Sequence, residues 1–455
     1  PAGNTKSYTW ELKNIDPIIE EPDMPDRSDL VPRLVCSMFK DWDYLHQWGG
    51  NILRERIKIT PEISETVRQL TKDAPGLEEK IAALYYFTQR NIRYISIKGS
   101  MSSSWGGHPA QETLQNKYGD CIDKSILFCT MLKEIGVESY PVTLKTNGAG
   151  TAIRNIPVMD ANHAITEVRL NGKRFYLDPV TRDFRYPYFN EGDHGISVVN
   201  EITGEINFIE VPPPSHNLNS YHTEIILQAN GDTEGRVQAD YTGPYEANLR
   251  SFWETVPAEQ RQDVYQRTIN NLSPGGRLME FKIANLETLL KPLQITYQYI
   301  LPRYPIFAGD LMIFGMPGLA YNFSEIALDQ RKYDLVYSTS RQTKNHISIK
   351  IPAGYRVKYL PANIKLECVP ADDPAPGRKT DNLVTDNRLL SGCATYEASY
   401  EYQPENGVII FKDNFQRFKR IIPVKDYQKY KEFLQQASRF SQEKIFFEKI
   451  NAKKD

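Results

Sequence analysis

The stretch that begins Gly119-Asp120-Cys121 most restricts what this chain can fold into. It runs apolar through Ile122, Ile126, Leu127, Phe128, Met131, Leu132 and Ile135. Wound at 3.6 residues per turn, 121–135 is a helix with apolar side chains around most of its circumference. Such a helix must be covered on nearly every side. Asp120 is the expected N-cap and Gly136 the expected residue just past the C-terminus. Cys121 then falls in the first turn, where unpaired N–H groups and the positive end of the macrodipole gather.

The flanking sequence supplies the cover. Residues 62–70 read as a helix. In the next segment Leu77, Ile81, Leu84, Tyr85 and Thr88 share one helical face. A short strand is expected at 94–97, a Ser/Gly-rich loop at 99–107 and a short helix at 110–116. Strands follow the buried helix at 138–144 and 164–170. The second meets Asn171-Gly172, a strong hairpin signal, and 174–177 returns until Asp178-Pro179 ends it. Helices followed by an antiparallel sheet make an α+β unit.

At 455 residues the chain exceeds one ordinary core. Residues 1–55 are irregular, and 8–12 alternate like a strand, so this part is read as the remnant of an N-terminal β-domain plus linker. The α+β unit takes 56–211. Pro212-Pro213-Pro214 opens a linker. Residues 218–424 read as a mostly-β, sandwich-like domain, with turns such as Asn230-Gly231-Asp232 and a helix near 258–271. Residues 425–449 are expected to form a terminal helix, with Tyr430, Phe433, Leu434 and Ala437 on one side; 425–455 is taken as a C-terminal unit.

Composition excludes several functions. A net charge of -2 leaves no electrostatic footprint for nucleic acid. No apolar run approaches the roughly 20 residues that span a bilayer. The five cysteines form no C-x-x-C pair and have no histidine at zinc spacing, so neither metal nor cofactor is expected. Cys368 and Cys393 flank a loop-like stretch; they are either a disulfide, if the protein is exported, or two separate buried thiols. The chain begins at Pro1 without a Met and contains no basic n-region followed by an apolar h-region, so a processed protein or a fragment is expected and export is not excluded.

Three residues combine into a chemistry. A thiolate attacks carbonyl carbon, and the first turn of a helix favours that charge. The same N–H groups can stabilise the oxyanion that forms on the substrate. His163 stands 42 residues after Cys121, at the start of a strand, and can serve as base and then acid. Asp178 lies across the hairpin from it: counted from the turn, eight residues lead back to His163 and six forward to Asp178. Adjacent antiparallel strands lie about 5 Å apart, so the imidazole and the carboxylate can meet.

The segments Tyr118-Gly119-Asp120-Cys121-Ile122-Asp123-Lys124-Ser125, Asn162-His163-Ala164-Ile165 and Tyr176-Leu177-Asp178-Pro179 resemble the transglutaminase-like superfamily. The resemblance covers about residues 60–200. It implies a papain-like Cys-His-Asp site in this chain order, here Cys121, His163 and Asp178. It also implies a large exported bacterial protein of the Bacteroidetes type, periplasmic or cell-surface, with flanking β-domains. The chain departs from the pattern at Ile122, where relatives carry Lys. Trp105 is either a cleft-lining or oxyanion-covering ring or a plain core residue. Gln111 is a second oxyanion candidate, His108 is read as structural, and Asp123 and Lys124 as binding neighbouring loops. The expected activity is on amide bonds of a protein or peptide substrate through a Cys121 acyl intermediate. Hydrolysis ranks above cross-linking, because no EF-hand-type acidic loops suggest calcium regulation. The alternative is an inactive envelope binding or scaffold protein that retains the fold.

Overall fold

The structure, a computed structural model, describes residues 7–96, 106–370 and 392–450. Helices α1 (Arg27–Leu30), α2 (Trp42–Arg56), α3 (Pro61–Thr71) and α4 (Leu77–Asn91) come first. They are followed by β1 (Arg93–Tyr94), α5 (Ala110–Asn116), β2 (Tyr118–Gly119) and α6 (Cys121–Glu134). Five strands complete this part: β3 (Glu138–Leu144), β4 (His163–Leu170), β5 (Lys173–Leu177), β6 (Ile196–Asn200) and β7 (Glu205–Ile209), ordered β5-β4-β3-β6-β7.

Helix α6 is the central post. Its residues from Ile122 to Leu132 are all buried. One core joins Ile126, Leu127 and Phe128 of α6 to Ile63 and Val67 of α3, Ile81 and Leu84 of α4, and Ala164, Val168 and Leu177 of the sheet. Val142, Ile165 and Tyr176 pack in a second cluster, as the alternation of a strand requires. Asn171 and Gly172 both have positive φ, at 52° and 73°, which closes the β4–β5 hairpin.

The later chain is largely β. An eight-stranded sheet runs β10-β11-β9-β8-β15-β19-β18-β17. Its members are β8 (Leu218–Leu227), β9 (Thr233–Tyr241), β10 (Arg277–Ala284), β11 (Gln294–Leu301), β15 (Arg341–Lys350), β17 (Ile364–Cys368), β18 (Ala394–Gln403) and β19 (Val408–Arg417). All its pairings are antiparallel except β8 with β15. A four-stranded sheet, β12-β13-β21-β16, is built from β12 (Ile306–Ala308), β13 (Leu311–Phe314), β16 (Tyr355–Tyr359) and β21 (Ile445–Lys449). Helix α9 (Tyr427–Ser441) and this smaller sheet share one core with the large sheet through Phe433, Leu434, Phe314 and Phe447 packed with Ile347, Tyr396 and Phe411. A short pair, β14 (Leu335–Val336) with β20 (Ile421–Ile422), forms its own two-stranded sheet and adds Leu335 and Ile422 to the same core. No helix of the described residues is long and apolar enough to cross a membrane.

Four expectations need correction. Residues 8–12 form no strand, and Tyr8, Trp10 and Leu12 are exposed, because nothing pairs with their alternation. The first 55 residues hold helices and no strand among those described, so they do not have the form of a β-domain remnant. Helix α2 was masked by Gly49-Gly50, which weaken helix propensity. A Cβ at Gly50 would come within 2.4 Å of the Glu201 carbonyl oxygen, so close packing, not propensity, chose that residue.

In the C-terminal part α7 (Gly243–Thr255) joins the expected helix, which is α8 (Arg261–Leu272). The terminal helix ends at Ser441. Past it the pattern changes to period two, with Ile445 and Phe447 buried, and the chain continues as β21.

The N-terminal segment acts as a strap. Glu21 accepts from the Lys332 and Tyr333 N–H groups, at 2.7 and 3.3 Å. Asp29 accepts from the Thr151 N–H at 2.8 Å. Trp42 Nε1 donates to the Arg154 carbonyl at 3.3 Å. The strap thereby ties the later β region to the 145–162 loop that leads into His163.

Candidate active site

Asp120 caps α6 as expected. Its Oδ1 accepts from the N–H groups of Ile122 and Asp123 at 3.1 and 3.2 Å, while Asp123 Oδ2 accepts from the Asp120 N–H at 3.0 Å. This capping box satisfies donors that a helix start leaves unpaired. Gly119 is required by close approach: a Cβ there would meet the Asp123 Cβ at 2.6 Å. Asp123 also accepts from the His108 N–H at 2.6 Å and lies 3.1 Å from His108 Nδ1, so both residues fasten the preceding loop, as expected. Cys121 is half-buried at the first position of the helix.

The sheet delivers the other two groups. Thr166 pairs with Leu177 in the β4–β5 register. Extending that register by one pair sets Asp178 opposite Ile165 and diagonal to His163 on the same face. His163 Nε2 lies 3.5 Å from Asp178 Oδ2, with 14% and 1% of the side chains exposed. Cys121 lies close enough to His163 to act on the charge of its ring. Burial by itself would lower the His163 pKa; the charge of Asp178, its hydrogen bond and the Cys121 contact outweigh that and raise it well above the ordinary value. The geometry thus favours imidazolium.

Further bonds fix this geometry. Ser125 Oγ donates to the Ile165 carbonyl at 2.8 Å and meets Thr166 Oγ1 at 2.9 Å, locking α6 to β4. Asp178 Oδ1 accepts from the Val180 N–H at 2.9 Å and Oδ2 from the Thr181 hydroxyl at 3.2 Å. Tyr85 donates to the Asp178 carbonyl at 2.9 Å, tying α4 to the end of β5. Lys124 is buried and its Nζ donates to the carbonyls of Ile92 and Gln89, at 2.8 and 3.3 Å, at the C-terminal end of α4. Burial lowers its pKa to about 8.

The oxyanion candidates fare differently. Trp105 lies outside the described residues. Gln111 is committed elsewhere: its amide hydrogen-bonds Glu62, and its carbonyl takes the hydroxyl of Thr60, the N-cap of α3. The donor expected for the oxyanion is spent joining α5 to α3. Two residues escaped the sequence reading. Tyr94 lies where Cys121 and His163 both act on its hydroxyl, whose pKa is raised by burial first and by Cys121 next. The parallel β1–β2 pair, Tyr94 opposite Gly119, places it there. Asp193 is the other. A polar side-chain atom from each of His163, Asp178 and Asp193 lies within 4.8 Å of the others.

Comparisons with known proteins agree with this geometry. Residues 64–179 match the family model of the transglutaminase-like superfamily. No curated protein sequence matches the chain. Among solved structures, a candidate protease from Parabacteroides distasonis ATCC 8503 superposes with a TM-score of 0.58 at 12% identity, covering 96% of this chain and 64% of that one. The likeness is one of fold, and this chain spans less than two thirds of that protein. A candidate cysteine protease from Cytophaga hutchinsonii aligns over 28% of this chain and 41% of its own, at 15% identity and a TM-score of 0.21. The motifs and the family match agree: residues 64–179 match the transglutaminase-like superfamily, within a chain whose later part is largely β.

Proposed function

We propose that the chain is a cysteine enzyme that acts on amide bonds of a protein or peptide through an acyl intermediate on Cys121, and that water is the acceptor. The observation that carries this reading is the position of His163, 3.5 Å from Asp178 on one side and within the electrostatic reach of Cys121 on the other. Cys121 attacks the carbonyl carbon as the thiolate while His163 holds a proton, and the Cys121 N–H, which the Asp120 cap does not take, is the α6 donor open to the developing oxyanion. The imidazolium then protonates the leaving amine, and the neutral ring activates water to release the acid. Asp178 keeps the ring in one orientation and opposes its positive charge.

Access supports hydrolysis over transfer to lysine. Cys121 is only half-buried, and neighbouring Tyr94 is 45% exposed. A cross-linking enzyme must shelter its acyl intermediate from water. The test is digestion of a mixed peptide library, with and without a primary amine, by the chain and by its Cys121→Ala variant. Cleavage that requires Cys121 and gives free acids supports the reading. Amine adducts in place of acids would move it to transamidation. Equal turnover by both proteins would remove Cys121 as the nucleophile, and none by either would favour a binding or scaffold protein.

A further inference from the structure

Asp193 ends a short turn, Glu191–Asp193, just before β6. Its side chain is buried, with 1% of the residue exposed, and neither carboxyl oxygen has a hydrogen-bond partner. A buried carboxylate with no donor is costly, so such a group keeps its proton or borrows a neighbour's. Its neighbours are Asp178 and His163, each with an atom within 4.8 Å of Asp193. The turn is fastened to them. The Asn190 side chain accepts from the Gly192 N–H at 2.7 Å and donates to Thr181 Oγ1 at 3.2 Å, and Thr181 in turn donates to Asp178. Asn147 Nδ2 holds the other side through the Glu191 and His194 carbonyls, at 2.7 and 3.0 Å. This rigid framing aims a carboxyl at the back of the proposed base.

We propose that Asp193 is a positioning residue of this site: it holds one proton beside Asp178 and, through Asp178, sets the pH at which the His163 imidazolium is lost. The proposal rests on the Cys121-His163-Asp178 reading and deepens it. Two carboxylates this close in a buried setting do not both ionise at little cost, so the pair carries one proton between them. Burial and the Asp178 charge push the Asp193 carboxyl well above the usual range, and His163 pulls the other way. When the second proton leaves, the added negative charge holds the imidazolium. The charged and titratable groups facing Asp193 are Asp178, His163, the adjacent Glu191 and the Tyr85 hydroxyl from α4.

The test reads His163 directly. In Cys121→Ala protein labelled with 15N-histidine, the His163 resonance, assigned by His163→Gln, is titrated in EDTA so that protons alone are read. The pair predicts that this resonance responds to two ionisations. Adding Asp193→Asn, which keeps shape but cannot ionise, removes one response and lowers the His163 midpoint by about half a unit or more, a roughly threefold change. A single-step titration in the Cys121→Ala protein overturns the proposal even if the Asn variant fails to fold. An unmoved midpoint in a folded Asn variant overturns it too, since a merely structural residue would change melting temperature without moving that midpoint. The parent reading fails separately, when Cys121 in the wild-type chain reacts as an ordinary thiol.

Discussion

Ser125, on the helix that begins with Cys121, donates its hydroxyl to the carbonyl of Ile165, two residues beyond His163, at 2.8 Å. This one bond couples the helix that carries Cys121 to the strand that carries His163. Ser125→Ala removes it and leaves a buried carbonyl with one partner fewer. The expected cost is about 1 kcal/mol of stability, with a fall in kcat larger than any change in KM. Thermal melting and steady-state kinetics on whichever peptide is cleaved measure both.

Loss of the nucleophile and loss of its orienter should separate. Cys121→Ala abolishes turnover with the fold intact. Asp178→Asn retains a residual rate, lowered roughly 10²–10⁴-fold, because the ring loses its orientation and the opposing charge. Circular dichroism alongside the kinetics distinguishes a chemical loss from an unfolded protein.

Lys124 predicts a structural effect. Its ammonium satisfies two carbonyls at the end of α4 from within a buried helix. Lys124→Met fills the space without the donor. The expected loss is about 2 kcal/mol, read by urea denaturation, since charged hydrogen bonds of this kind contribute roughly 1.5–3 kcal/mol.

His194 predicts a pH dependence. It is buried, with Nδ1 2.8 Å from Thr339 Oγ1, and burial lowers its pKa to about 3. The folded state therefore prefers the neutral ring. The unfolded chain gains a proton near pH 6.5, so this contribution is present above 6.5 and is lost as pH falls toward 3. Between pH 6.5 and 4.5 the loss is about 2–3 kcal/mol. Buried Glu201, raised to about 7, works in the opposite direction over the same range, so the difference between His194→Gln and wild type isolates the histidine. Stability of that variant should depend less steeply on acid.

Cys368 and Cys393 are neighbours. The Cys393 N–H donates to the Cys368 carbonyl at 2.7 Å, and the two buried side chains are in hydrogen-bonding contact. Incubation with a small-molecule disulfide should join them, with loss of two hydrogens in the intact mass and a Cys368–Cys393 cross-link in the peptide map. Persistence of both thiols would favour separate buried cysteines.

The sequence made the first part of the molecule, around α6 and the β4–β5 hairpin, legible for physical reasons. The all-round apolar character of α6 forced its burial, Asn171-Gly172 fixed the hairpin, and the arm lengths brought Asp178 to His163. The strap, α2 and β21 were not legible, since each depends on contacts far along the chain: Gly50 on Glu201, Glu21 on Lys332, and Ile445 on Phe314. Asp193 was hidden for the same reason. A lone Asp in the Glu191–Asp193 turn carries no local signal, and only the fold brings it to His163. The partners of Gln111, Thr60 and Glu62 near the start of another helix, were hidden in the same way.

The most direct test is the rate at which iodoacetamide alkylates Cys121 as a function of pH, in wild type and in His163→Ala, with the labelled cysteine identified by peptide mapping. The account predicts that Cys121 of the wild type is alkylated much faster than an ordinary free thiol at neutral pH, and that His163→Ala removes the excess. Equal rates at Cys121 in both proteins would contradict it.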